Sequence, residues 1–130
     1  MLKINNNEYN VLMSSIKYVE AIYNSQKVYS ALVLLDIQSN GNKGYISFYI
    51  DFFDEDDIKN IENKKYRELP TELNSKISMI EIYDTQNFID FIDSEINLEF
   101  GNIVNNQVEM KLDIDDELIK LEYKGLLGIK

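Results

Sequence analysis

Carboxylates are the side chains with the most chemistry to offer in this sequence, 23 Asp and Glu against 13 Lys and Arg. Asp90, Asp93, Glu95 and Glu99 recur at short spacing, and Asp54, Glu55, Asp56 and Asp57 form an unbroken run. Two carboxylates held at the right separation can hydrolyse a glycosidic bond. With 23 acids, however, some pair meets that separation in any fold, so the pattern does not select a hydrolase. The run at 54–57 has oxygen ligands of the kind a calcium loop uses, but it lacks the central Gly and distal Glu of an EF-hand. We expect no metal and no cofactor, and read the run as the first turn of a short helix continuing to Ile58 and Ile61. Carboxylates are stabilised there by unpaired backbone N–H groups and the positive end of the helix dipole.

The missing residue types exclude more. There is no Cys, hence no disulfide, thiolate metal site or cysteine nucleophile. There is no His, which removes the commonest base near neutral pH, the Ser-His-Asp and Cys-His arrangements and nearly all transition-metal sites. No phosphate-cradling Gly loop or nucleophile elbow is present. We therefore expect no enzyme.

Charge gives the strongest functional signal. The net charge of −10 is unevenly placed: residues 1–50 hold three acids and four bases, whereas residues 51–130 hold twenty acids and nine bases. Between Ile77 and Met110 there are seven acids and no base. Such a surface repels nucleic acid and anionic lipid and attracts a basic protein. Asp90, Asp93, Glu95 and Glu99 are the first candidates for contacting that partner and Asp54, Glu55, Asp56 and Asp57 the second. Charge alone does not supply affinity, so Tyr83 or Phe88 is expected to form the buried centre, with the acids as rim.

The elements that must position these residues read as mainly β, a β-rich α+β domain spanning 1–130. At 130 residues and 45% hydrophobic the chain can bury a core without staples. The centre is a hairpin over 28–53. Ala31, Val33, Leu35 and Ile37 form one apolar set and Ile46, Phe48, Ile50 and Phe52 the other. A two-residue Asn40-Gly41 loop puts both sets on one face, since Asn-Gly suits turns needing φ > 0 at both central residues. Leu32, Leu34, Tyr45 and Tyr49 on the other face call for partial cover there too, as in a sandwich or a sheet with a helix packed on it.

Around that hairpin, Met1–Ile4 and Glu8–Met13 read as short strands about an Asn5-Asn6-Asn7 turn. Residues 14–23 fit both a helical spacing (Leu12, Ile16, Val19, Tyr23) and a strand; β-branched content and the Asn24-Ser25-Gln26-Lys27 turn favour the strand. Lys64, Lys65 and Arg67 are expected to pair with the acidic helix. Ile77 and Met79, with Ile80 and Ile82, make a strand, and 85–93 a short helix burying Phe88, Ile89 and Ile92. Residues 95–124 form a three-stranded meander. A three-residue loop at 105–107 pairs Phe100 with Leu112, and a two-residue loop at 115–116 pairs Leu112 with Ile119. That register opposes Glu99 to Asp113 and Glu109 to Glu122, like-charge pairs that weaken a sheet. Gly125–Ile129 closes the chain as an edge strand or a plug.

No apolar leader or span is visible, so a cytoplasmic protein with no membrane contact is expected. A single Arg among many Asn, Ile and Lys points to an AT-rich bacterial or phage genome. In composition and size, though in no motif, the chain is similar to small acidic bacterial immunity proteins. The expected function is a small acidic protein-binding module, an inhibitor or immunity-type protein neutralising a basic partner such as a toxin. The alternative is a self-associating structural subunit like a phage tail component, and behind it a carboxylate-based hydrolase.

Overall fold

The computed structural model describes residues 1–52, 61–69, 75–84, 87–89, 95–117 and 119–130. Ten strands follow in chain order: β1 (Leu2–Ile4), β2 (Asn7–Tyr23), β3 (Gln26–Ser39), β4 (Asn42–Phe52), β5 (Lys65–Glu68), β6 (Ile77–Asp84), β7 (Asn87–Ile89), β8 (Ile96–Val104), β9 (Gln107–Asp115) and β10 (Lys120–Ile129). They form one sheet in the order β5-β8-β9-β10-β1-β2-β3-β4-β6-β7. All neighbours in that order are antiparallel, and β10 adds a short parallel pairing with β2 at Gly128–Ser15 and Ile129–Ile16.

Local chemistry sets most of these hairpins. Asn5-Asn6, Asn24-Ser25, Asn40-Gly41 and Asn105-Asn106 all have positive φ at both positions, the left-handed pair whose twist matches the flanking strands. The 28–53 reading holds for all of its described part: Ser39 faces Asn42, Leu35 faces Ile46, Val33 faces Phe48 and Ala31 faces Ile50. Residues 14–23 belong to one continuous strand.

One face of the sheet is dry. Ala31, Val33, Leu35, Ile37, Ile46, Ile50, Ile82, Val108, Met110 and Leu121 are wholly inaccessible and belong to a single apolar cluster. The sheet curls so that its two halves supply each other's cover: Ile46, Phe48, Ile77 and Ile80 from β4 and β6 face Ile96, Leu112 and Ile114 from β8 and β9 across a seam too narrow for water.

The structure corrects several expectations. The helix over 85–93 is not seen; among its described residues Asn87–Ile89 is a strand paired with β6, because Phe88 and Ile89 fall in register with Tyr83 and Ile82. The helix read from Asp54 onward lies outside the described residues. In the meander the Asn105-Asn106 turn has two residues, not three, and pairs Leu98 with Leu112 and Phe100 with Met110. A four-residue connection follows β9, closed by the Asp116 N–H donating to the Ile119 carbonyl at 2.8 Å, so Leu112 faces Tyr123 rather than Ile119. The shifts are by two and by four residues; both are even, which preserves the buried face while changing every cross-strand neighbour. Gly125–Ile129 lies inside the sheet between β9 and the β1–β2 pair, not at an edge.

Three bulges explain how sequences of mixed parity keep one face buried. Side chains alternate, so Ile77 and Ile80 share a face only if an extra residue intervenes. In β6 that residue is Met79, between the Ser47–Glu81 and Tyr49–Ser78 pairs. Leu12 does the same in β2 and is 51% exposed, while Gly101 and Asn102 span the third bulge in β8.

Gly125 is required for a different reason. A Cβ there would fall 2.8 Å from Tyr123 Cζ and closer still to its hydroxyl oxygen, because the buried Tyr123 ring lies across it. Gly125→Ala is expected to destabilise the protein by about 1 to 3 kcal/mol, the range for overpacking a core. Tyr123→Phe in that background should recover part of the loss. Equilibrium urea unfolding of the two variants checks this, and an unchanged midpoint for Gly125→Ala refutes it.

Candidate functional site

The acids singled out from sequence separate into different situations. Asp54, Glu55, Asp56, Asp57, Asp90 and Asp93 lie outside the described residues, and Phe88 is described by its backbone alone, on β7 opposite Tyr83. Glu99 sits at the outer face of β8 and Glu95 directly before its start, and β5 delivers bases to both: Arg67 pairs with Glu95, and Lys65 Nζ lies 3.7 Å from Glu99 Oε1. Lys111 stands directly across from Glu99 on β9, and Lys124 approaches Glu109 at 4.0 Å. A stretch without a base in sequence is therefore not a surface without a base. The pairing expected between the basic cluster at 64–67 and the acidic helix falls outside the described residues; the cluster's described ion pairs are with Glu95 and Glu99. These exposed pairs contribute at most about 1 kcal/mol each.

The corrected register also removes the expected Glu99–Asp113 and Glu109–Glu122 oppositions. It leaves Asp113 opposite Glu122 and Lys111 opposite Lys124. At that end of the sheet Glu95, Asp113, Asp115 and Glu122 line a polar cleft with Lys120 as its base. Among the described residues no group of three or more carboxylates is arranged to hold a metal ion.

The residues best placed to recognise another molecule lie on the outer face of β3, β4 and β6. Alternation turns Leu32, Leu34 and Asp36 of β3 outward, and registration sets Tyr49, Ser47 and Tyr45 of β4 beside them in that order. Glu81 of β6 then faces Ser47, and Tyr83 faces Tyr45. Leu32, Leu34, Asp36, Tyr45, Ser47, Tyr49, Met79 and Glu81 line a groove of about 420 Å³. Leu32, Leu34, Tyr45 and Tyr49 are half-buried. Among the described residues no strand or helix is layered on this face, so the cover expected from the sequence is found on the inner face alone.

Polar contacts fix the groove's geometry. Tyr45 and Tyr83 stack with centroids 5.9 Å apart and planes 15° from parallel. The Tyr45 hydroxyl donates to Glu81 Oε2 at 3.3 Å. Farther along the same face, the hydroxyls of Ser30 and Ser78 donate to the two oxygens of Asp51, at 3.0 and 2.7 Å. The Tyr45 hydroxyl titrates above its usual range, first because desolvation disfavours the phenolate and then because the Glu81 charge repels it.

Met79 is the unusual member. It lies in the strand expected over Ile77–Ile82, yet it is 71% exposed with φ of +52°. A side chain in the left-handed region costs roughly 1 to 2 kcal/mol, a cost that Gly avoids. Of the groove, sequence reasoning identified the Leu and Tyr pairs and Tyr83, but it missed Asp36, Glu81 and the exposure of Met79. Asp36 was legible as an outward position once the hairpin register was fixed, whereas the facing of Glu81 depends on the bulge at Met79, which carries no turn residue to announce it.

No family model matches this chain, and no curated protein or solved structure matches it. No helix among the described residues is long and apolar enough to cross a membrane.

Two outcomes are expected. Met79→Gly should raise stability by about 0.5 to 1 kcal/mol, the relief of left-handed strain less the entropy Gly adds to the unfolded chain; a lowered denaturation midpoint would contradict it. The hydroxyls of Tyr18, Tyr45 and Tyr123 all titrate higher in the folded protein than in the unfolded chain, chiefly through burial. The folded state then holds these protons more tightly, so their contribution is fully present below pH 10 and is lost as pH rises through the folded values. Thermal melts from pH 9 to 11.5 should fall more steeply for the wild type than for Tyr123→Phe.

Proposed function

We propose that this protein is a protein-binding module that recognises a basic partner and acts as an inhibitor or immunity-type protein. The observation that carries the reading is the groove over β3, β4 and β6, where Tyr45, Tyr49, Leu32, Leu34 and Met79 offer apolar contact and Asp36 and Glu81 supply the charge. Tyrosine and methionine are enriched at protein interfaces, and carboxylates beside them favour a cationic counterpart. The net charge of −10 adds long-range attraction and a fast, salt-sensitive association. The strands that end the sheet are short: β5 has four residues, three of them charged, and β7 has three. Short or charged edges discourage edge-to-edge assembly, which favours a binder over a self-assembling subunit.

One observation favours the alternative of a structural subunit. Among the described residues, 17–23 of β2 have a neighbouring strand only on the β3 side, and Ile22 near the hairpin tip is 78% exposed. A second copy pairing along that edge would produce an assembly.

The two readings separate experimentally. The tagged protein should elute as a monomer at micromolar concentration and should retain from its host a protein of basic isoelectric point. Retention should weaken steeply between about 50 and 300 mM salt, as expected for screened surface charge. Concentration-dependent growth in mass that stops with Val19→Pro would favour the subunit reading, and a partner that is neutral or acidic would refute the proposal.

A further inference from the structure

The groove's lining points to the kind of side chain it takes. Two of its eight described lining residues are carboxylates, Asp36 and Glu81, and none is a base. Asp36 stands directly across from Tyr45, and Glu81 accepts the Tyr45 hydroxyl, so both carboxylates flank one ring. That ring is stacked on Tyr83. Leu34 and Met79 supply the apolar wall. A neutral apolar occupant would leave both carboxylates facing it without a counter-charge, and an anionic one would be repelled.

Resting on the protein-binding reading, we propose that the partner anchors itself here through an arginine. A guanidinium is planar, lies flat on an aromatic face, and forks two N–H donors to a carboxylate, which matches a stacked tyrosine pair with an acid on either side. A lysine ammonium has the charge but neither the plane nor the fork. The methylene stem of the arginine would lie along Leu34 and Met79, burying apolar surface while its head stays polar. Met79 then has a reason for its exposed, left-handed position. The bulge that puts Ile77 and Ile80 on the same buried face also projects an unbranched, adaptable thioether into the groove lining at the Tyr49 end, where it can fit a flexible stem.

The probe is a blocked tripeptide, acetyl-Leu-Arg-Leu-amide, titrated against the isotopically labelled protein and followed by NMR. Shifts are expected at the Met79 methyl group and at the Tyr45 and Tyr83 rings, with weak affinity. The peptide with Lys in place of Arg should bind several-fold more weakly, and the peptide with norleucine in its place should bind weakest. Glu81→Gln is expected to weaken the Arg peptide about tenfold, the usual effect of losing one charge-assisted hydrogen bond. Met79→Gly should weaken it while the fold stays intact by its own spectrum, and Glu99→Gln on the opposite half of the sheet should leave it unchanged. The inference is overturned if the norleucine peptide binds as well as the Arg peptide, if shifts spread equally to Glu95, Asp113 and Glu122, or if the groove resonances broaden with protein concentration alone, which would mean a second copy occupies it. Failure here is distinguishable from failure of the proposed function. A basic host partner retained equally by wild type and Glu81→Gln would keep the function and remove this docking site, whereas a localised peptide response with no basic partner would do the reverse.

Discussion

The central strands of this protein must keep one side dry, and because side chains alternate along a strand that single requirement governs most of the sheet. The strands bury their apolar face mainly against one another, with Ile61 and Ile119 from the connections joining the same core. The sheet therefore curls until β4 and β6 meet β8 and β9, and the two halves share a seam of Ile, Leu and Phe side chains. The left-handed Asn turns hold the hairpins in the registers that make this possible. Where the apolar residues change parity along a strand, an extra residue is inserted and its side chain is left outside the core.

That solution links the fold to the candidate site. The bulge in β6 exists because Ile77 and Ile80 must face the same core, and its by-product is an exposed Met79 in the groove that Tyr45 and Tyr49 also line. A strained backbone is tolerated where the surrounding structure over-determines it, and such positions recur at binding sites. Here the strain follows from core packing, and the groove takes advantage of where the side chain ends up.

The acidic surface changes character once the sheet is formed. Residues 77–110 carry seven acids and no base in sequence, yet β5 and β9 bring Lys65, Arg67 and Lys111 to Glu95 and Glu99. Charge concentrated along a chain is redistributed by strand pairing, since neighbours across a ladder come from distant sequence. In the groove, by contrast, no base is among the described residues that line it with Asp36 and Glu81.

By itself the sequence determined the β character, the apolar rows and the turn at Asn40-Gly41, because alternation and a preference for φ > 0 are local properties of a few residues. Parity of the meander was equally legible, since any even shift leaves the same side chains buried. The length of the loops at 105–106 and 116–119, the strand at Asn87–Ile89, the interior place of Gly125–Ile129 and the bulge at Met79 were decided only in the tertiary structure. Each depends on which neighbour offers its backbone groups and its core space, and those neighbours lie far away along the chain. For the same reason the sequence could offer Tyr83 as an anchor, but only the assembled sheet placed it against Tyr45 and set Glu81 and Asp36 on either side of that ring.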